Sequence, residues 1–172
     1  MKKRQNLLIF CLIIILIVIS GIQFDKKYNP NIDSDSYLSS KDEKRTVNNC
    51  NSNDNKLDKN SKKIEFEDFN GKWSLMEFTS DKDNKISITD NTKISEGKFY
   101  VVILDLEGNI IAKKNELTET GDIIFTTPKD GKYFIRIVGD NASGKFDVSV
   151  NASNNIYVSH MDFFDKDFFS KN

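Results

Sequence analysis

Histidine and cysteine are scarce in this sequence, which narrows the chemistry it can support. The 172 residues include one histidine, His160, and two cysteines, Cys11 and Cys50. Zinc sites need clusters of these residues, and a nucleophilic triad needs a histidine beside a serine or cysteine. The sequence also contains no Gly-x-Ser-x-Gly element. It therefore predicts no catalytic residue, no cofactor-binding residue and no metal site, and it favours a non-enzymatic protein.

The sequence also has almost no net charge and very little alanine. Lys and Arg number 25 against 26 Asp and Glu. Without an overall basic field, nucleic acid is not an expected partner. Alanine occurs only at positions 112, 142 and 152. This scarcity disfavours a helical bundle, and the abundance of Asn, Lys, Asp, Ser and Ile suits strands joined by polar loops.

The longest apolar run lies at the N-terminus. Residues 2–4 are basic, residues 7–19 are all apolar, and the next charge is Asp25. A helix over residues 7–24 would be about 27 Å long, close to the thickness of the hydrocarbon core. Residues 1–24 are therefore predicted to be a transmembrane anchor or a cleaved signal sequence. The basic flank stays cytoplasmic, so the chain after it is expected to be extracytoplasmic in a single-pass membrane protein, or secreted if the segment is cleaved.

Two polar segments are expected to flank one folded domain. Residues 25–62 carry isolated apolar side chains at irregular spacing, which predicts a flexible polar linker. Within it, Cys50 is free or cross-links two chains. Residues 153–172 form a Phe-rich C-terminal tail that either packs on the domain or docks a partner or a membrane surface. Within this tail, Ile156–Met161 could add one more strand.

The domain itself is predicted to span residues 63–152. Glycines divide this stretch into short β-rich runs about ten residues apart, the rhythm of a sandwich or barrel. The pattern predicts an all-β, antiparallel, jelly-roll-like sandwich of about eight strands. The first six strand candidates are Ile64–Phe69, Trp73–Thr79, Lys85–Thr89, Lys98–Leu106, Asn109–Lys113 and Asp122–Thr127. The candidate at Lys98–Leu106 is apolar on both faces and is expected to be central.

The stretch Gly131–Val150 supplies the last two strands, as a β-hairpin. Its two alternating runs flank a Gly-Asp-Asn-Ala-Ser-Gly segment, which is typical of a turn. Arg136 takes an outward position on the first of these strands. The inward positions of the whole domain predict the core residues Trp73, Phe99, Val101, Ile103, Phe125, Tyr133, Ile135, Phe146 and Val148.

Three aromatic residues are the candidates for ligand binding. Tyr100, Phe134 and Tyr157 alternate away from the predicted core faces. Exposed rings in these positions could stack on the apolar face of a sugar. If the sandwich buries both faces of its central strands, the same rings are core residues.

The block Gly97–Val150 resembles bacterial pre-peptidase C-terminal domains and related jelly-roll modules. The resemblance is carried by Lys98-Phe-Tyr-Val-Val-Ile-Leu-Asp, by Gly131-Lys-Tyr-Phe-Ile-Arg-Ile-Val-Gly and by Gly144-Lys-Phe-Asp-Val-Ser-Val. The chain is also similar to small extracytoplasmic proteins of low-GC Gram-positive bacteria, which join an anchor, a polar tether and one such domain. The resemblance implies binding rather than turnover, and it transfers no site residue.

These observations lead to one functional prediction and one alternative. The first is a non-enzymatic, membrane-tethered, extracytoplasmic β-sandwich that acts as a binding or surface-accessory module, with the membrane and an envelope glycan or protein as partners. The alternative is a secreted carbohydrate- or cell-wall-binding module released by signal cleavage.

Overall fold

The computed structural model of the protein describes residues 31–52 and 58–161. This part of the chain is mostly antiparallel β-sheet with almost no helix. Its elements in chain order are α1 (Asp35–Ser39), β1 (Arg45–Thr46), β2 (Asn49–Ser52), β3 (Ser61–Ser80), β4 (Lys85–Asp90), β5 (Lys93–Asp105), β6 (Ile110–Asn115), β7 (Ile123–Thr126), β8 (Gly131–Ala152) and β9 (Tyr157–His160).

Among the described residues, no helix combines the length and the apolar character needed to cross a membrane. The predicted anchor at residues 7–24 lies outside the described residues, as do Cys11 and the four Phe residues of the tail.

Two long strands, β3 and β8, form the centre of the sheet. They pair antiparallel from Ser61↔Ser149 to Ser80↔Gly131. Strands β1, β2 and β9 pair with the other edge of β3, and β4 and β5 pair with the other edge of β8. Register shifts interrupt β3 between Phe66 and Gly71, and interrupt β5 between Ile94 and Lys98. Such bulges bend strands, which lets one sheet fold into the two layers of a sandwich.

The core lies between these layers, and all nine predicted core residues belong to it. Aromatic rings fill its middle: Phe66 and Phe99 stack with centroids 5.1 Å apart, and Phe78 and Tyr133 stack at 5.3 Å. The prediction that β5 is central and apolar on both faces is also confirmed. Phe99, Val101 and Ile103 face the main core, and the intervening side chains enter a second apolar cluster on the opposite face of the sheet.

The predicted hairpin at Gly131–Val150 is wrong. These residues form the single strand β8, which stays paired with β3 on both sides of the expected turn. Glycine, aspartate and asparagine are typical of a bulge as well as of a turn, because both structures need unusual backbone angles. Here Asn141 has φ 50° in the strand interior, so the segment bends β8 instead of reversing it. For the same reason the candidates Ile64–Phe69 and Trp73–Thr79 are one bent strand, β3.

The flexible linker predicted for residues 25–62 is wrong for residues 31–52. Ser34 caps α1 by accepting a hydrogen bond from the Tyr37 amide, and β1 and β2 pair with β3. Residues 31–43, called the strap below, lie across the outer face of β5 and β8. Strap residues Ile32 and Leu38 are fully buried there.

The end of the described chain forms one more strand. The prediction that Ile156–Met161 could add a strand is confirmed by β9, which pairs with β3 from Thr79↔Tyr157 to Met76↔His160. The ring of His160 lies 3.0 Å from the Lys59 carbonyl oxygen. The only histidine in the sequence therefore has a structural contact at the edge of the sheet.

Candidate functional site

The three aromatic candidates do not come together as a binding surface. Tyr100 and Phe134 are 7% and 5% exposed and pack in the second apolar cluster beneath the strap. A sugar cannot reach the face of either ring, so their interpretation as stacking residues is corrected: both are core residues. Tyr157 is 75% exposed on β9 and stays a candidate by itself.

Ion pairs and a buried hydroxyl fasten the first half of the strap. Asp33 accepts hydrogen bonds from Lys98 at 2.6 Å and from the Tyr100 hydroxyl at 2.8 Å. The Lys98 hydrogen bond, followed by that of Tyr100, lowers the pKa of Asp33. Burial and the Asp33 carboxylate raise the pKa of Tyr100 to about 12. The tyrosine hydroxyl therefore acts as a neutral donor that fixes the strap.

Arg136 fastens the second half of the strap. Its sequence position faces away from the main core as predicted, but the side chain is 3% exposed because the strap covers it. The guanidinium donates to the carbonyl oxygens of Leu38 at 3.1 Å and Ser40 at 2.9 Å, and it pairs with Glu43 at 2.9 Å. Arg136 is therefore not a simple outward residue, and that prediction is corrected. Its buried guanidinium binds both the backbone and a carboxylate of the strap.

A polar groove of about 820 Å³ lies on the opposite end of β8, where the sheet bends. It runs across β2, β3, β8 and β5. We define it by its lining residues: Asn49, Cys50, Asn51, Glu65, Phe66, Glu67, Asp68, Lys93, Ser95, Glu96, Ser143, Gly144 and Lys145. Phe66 is the one aromatic residue among them and is 4% exposed, so it contributes little surface to the groove.

Strand register places four groove side chains in one row. Asn51 pairs with Glu65, Glu65 with Lys145, and Lys145 with Lys93. Neighbouring strands are about 4.8 Å apart, so this row is roughly 14 Å long. An amide and a carboxylate occupy one half of the row, and two ammonium groups occupy the other.

Ion pairs order the basic half of the groove. Asp147 lies 2.6 Å from Lys145 and 4.0 Å from Lys63. The hydrogen bond that Lys145 donates to Asp147 is the main cause of the raised pKa of Lys145. Lys145 therefore stays charged and is held in place at neutral pH.

The bend beside the groove depends on glycine at position 97. Gly97 has φ 75°, and a Cβ atom there would lie 2.2 Å from the Asn141 carbonyl oxygen. We expect Gly97→Ala to lower the free energy of unfolding by about 3–5 kcal/mol. The strain of a left-handed backbone and the clash of the new Cβ atom with the Asn141 backbone both destabilise the folded state. Gly121 has φ 90° and open space around it, so Gly121→Ala should cost only the strain, about 1–2 kcal/mol. Equal losses in urea unfolding of the two variants would contradict the close approach at Gly97.

A buried triad of charged residues, Asp90, Lys114 and Glu116, lies between β4 and the end of β6. Lys114 is 2.7 Å from Asp90 and 3.3 Å from Glu116. The side chain of Lys114 is 7% exposed, that of Asp90 is 0% exposed and that of Glu116 is 5% exposed. Burial, then a hydrogen bond and repulsion from Asp90, raises the pKa of Glu116 to about 8. The pKa of Asp90 is lowered because its hydrogen bonds outweigh its burial. The pair therefore carries one proton near neutral pH.

Sequence reasoning missed the groove for two reasons. Glu65 and Glu67 alternate outward on the first predicted strand, which indicates a solvated face, and Asn49 and Asn51 fall in the predicted linker. Their meeting depends on the pairing of β2 with β3, for which residues 49–52 give no hydrophobic signal. Within the described part of the chain, no group of three or more His, Cys, Asp and Glu residues is arranged to hold a metal ion.

Comparisons with known proteins add little to this geometry. No protein-family model matches the chain, and no curated protein matches it. Among solved structures, the crystal structure of accessory secretory protein 1, 2 and 3 in Streptococcus pneumoniae matches with 13% sequence identity and a TM-score of 0.32, over 69% of this chain and 86% of that chain. A likeness at this level assigns no function.

Proposed function

We propose that this protein is a non-enzymatic binding module that holds a polar glycan polymer of the cell envelope in the polar groove. The observation that carries the proposal is the groove itself, a volume of about 820 Å³ that is lined by amide, carboxylate, hydroxyl and ammonium groups. A polymer rich in hydroxyl and amide groups matches such a lining, because each group can donate or accept a hydrogen bond. Peptidoglycan is a polymer of this kind.

The groove has the length and openness that a polymer requires. Its central row crosses four strands over roughly 14 Å, which is the length of a short oligomer segment. Asn49, Asn51, Glu65 and Lys93 are all exposed, so their polar groups are accessible without a conformational change. The backbone beneath them is a paired sheet, which holds the groups at fixed spacing and reduces the entropy cost of binding.

The location and family of the module are parts of the same proposal. The basic flank and apolar run of residues 1–24 support a membrane tether with the module outside, and cleavage of that segment would give a secreted module with the same groove. The repeated glycine-aromatic pattern in Gly97–Val150 supports kinship with pre-peptidase C-terminal-like jelly-roll modules.

Sedimentation with insoluble peptidoglycan tests the binding proposal. We expect the full chain in detergent micelles to co-sediment with peptidoglycan purified from a low-GC Gram-positive bacterium. Glu65→Gln and Lys93→Gln should each weaken binding about tenfold, the effect of losing one hydrogen bond to a charged group. Both side chains are exposed, so the melting temperature should not change.

Two matched variants serve as controls. Glu107→Gln and Lys82→Gln make the same chemical changes at exposed positions outside the groove, and they should bind like the wild-type chain. If all four variants bind equally, or if the wild-type chain stays in solution, the groove is not a glycan site.

A further inference from the structure

The buried triad holds two carboxyl groups and one ammonium group whose side chains are almost fully covered. Lys114 compensates one negative charge, and Glu116 Oε1 is buried without a hydrogen-bond partner. Two buried carboxylates beside a single cation repel each other, so a shared proton on Asp90 and Glu116 is the state that this geometry stabilises.

Hydrogen bonds connect the triad to the polar groove through the turn between β4 and β5. Asp90 Oδ1 accepts from the Thr92 amide at 3.0 Å. Thr92 Oγ1 in turn accepts from the Asp147 amide at 3.3 Å, and the Asp147 carboxylate holds Lys145 of the groove at 2.6 Å. The residue after Thr92 is Lys93, the other lysine of the groove. The turn therefore contacts the triad through Thr92, continues into Lys93, and reaches Lys145 through Asp147.

We propose that the buried triad is a proton-operated switch of the polar groove. One proton shared by Asp90 and Glu116 holds the turn before β5 in the conformation that presents Lys93 and orients Lys145. Loss of that proton places two negative charges beside Lys114 and drives Glu116 out toward solvent. Asp90 then loses the hydrogen bond from Glu116 that fixes its carboxylate. The turn that binds this carboxylate through the Thr92 amide changes conformation, and the groove loses its ordered lysines. The inference rests on the proposed function only for the ligand that the groove takes.

Acidic side chains also lie on the elements around the triad. Glu119 accepts from the Asn115 amide at 3.3 Å, and Asp122 accepts from the Asp90 amide at 3.2 Å. Both are acidic, and Asp147 on β8 is also acidic. Lys114 is the cation in direct contact with the pair, so an additional negative charge on Glu116 meets mainly repulsion.

Carboxyl and amide NMR shifts of the full chain in micelles test the switch between pH 5 and 9.5. Glu116 should titrate near pH 8, the value to which its pKa is raised. The amides of Thr92 and Lys93 should shift with the same midpoint, and peptidoglycan binding should weaken at least tenfold above it. E116Q supplies an amide that donates permanently to Asp90, so its Thr92 and Lys93 amides and its binding should not change with pH. E119Q alters an exposed acid in the same loop and should titrate like the wild-type chain.

The amide shifts separate this inference from the proposed function, because they need no ligand. If Thr92 and Lys93 follow Glu116 but peptidoglycan never binds, the switch stands and the ligand is wrong. If Glu116 titrates near 4.5, its ordinary value, the switch is overturned. It is equally overturned if the Thr92 and Lys93 amides stay unchanged while Glu116 titrates. Should E116Q fail to fold, the wild-type titration still decides between these outcomes.

Discussion

Replacing Arg136 by methionine is expected to lower the free energy of unfolding by about 3–5 kcal/mol, the cost of removing one partner of a buried ion pair. The variant leaves the Glu43 carboxylate, whose side chain is 13% exposed, without its cation. It also removes the donor to the Leu38 and Ser40 carbonyl oxygens, which belong to the strap. Urea unfolding of the full chain measures the loss, with the fluorescence of Trp73, the single tryptophan of the sequence, as the signal.

Lys113→Met is the matched control for Arg136→Met. Lys113 also joins the sheet to the strap, at Asp35 with a 2.5 Å contact, but the two side chains are 42% and 70% exposed. An exposed pair of this kind contributes below about 1 kcal/mol. If Arg136→Met costs no more than Lys113→Met, the strap is not held by the buried guanidinium.

Replacing Leu38 by alanine should cost about 2–5 kcal/mol, the range for a leucine truncated in a packed core. Leu38 is fully buried in the second apolar cluster, together with Ile32 and residues of β5 and β8. Truncation leaves a cavity between the strap and the sheet, because the sheet cannot close over the missing atoms. The same unfolding experiment in urea measures this cost.

Ser36→Ala gives the reference for Leu38→Ala on the same helix. Ser36 is exposed, and its replacement should stay within about 0.5 kcal/mol of the wild-type stability. In a flexible tether, neither substitution would change stability. If the two variants lose the same amount of stability, the strap is a flexible linker and does not pack on the sheet.

Alternation of apolar residues was sufficient to identify most of the sheet. Val101 and Ile103 point one way and Val102 and Leu104 the other, so the sequence predicts a strand that is buried on both faces, as β5 is. All nine predicted core residues are buried because the period of two fixes which side chains share a face. This rule is local, and it holds wherever the strand assignment is right.

Strand continuity and strap packing could not be predicted in the same way. Asn70-Gly71 and the segment Gly139–Gly144 have the composition of turns, but a turn and a bulge place similar demands on the backbone. Only the pairing of β3 with β8 across both segments distinguishes the two structures. The strap holds two buried apolar residues, Ile32 and Leu38, in a polar stretch, and their burial depends on a sheet face that local sequence does not reveal.

The sheet is covered beneath the strap and accessible at the polar groove. Beneath the strap, the rings of Tyr100 and Phe134 are covered, and the charged groups near them pair with the strap itself. At the groove, Asn51, Glu65 and Lys93 are left accessible in register. A binding function therefore has to be sought among polar side chains, where hydrogen bonds provide specificity, and not among the aromatic rings that the sequence indicated.

Mapping of ligand contacts on the full chain tests the central claim most directly. Amide shifts are recorded in micelles while soluble peptidoglycan fragments are added. The proposal predicts that the largest shifts fall in the four groove segments, residues 49–51, 65–68, 93–96 and 143–145. Shifts confined to β9 around Tyr157, or no shifts at saturating fragment concentration, would contradict a glycan site in the groove.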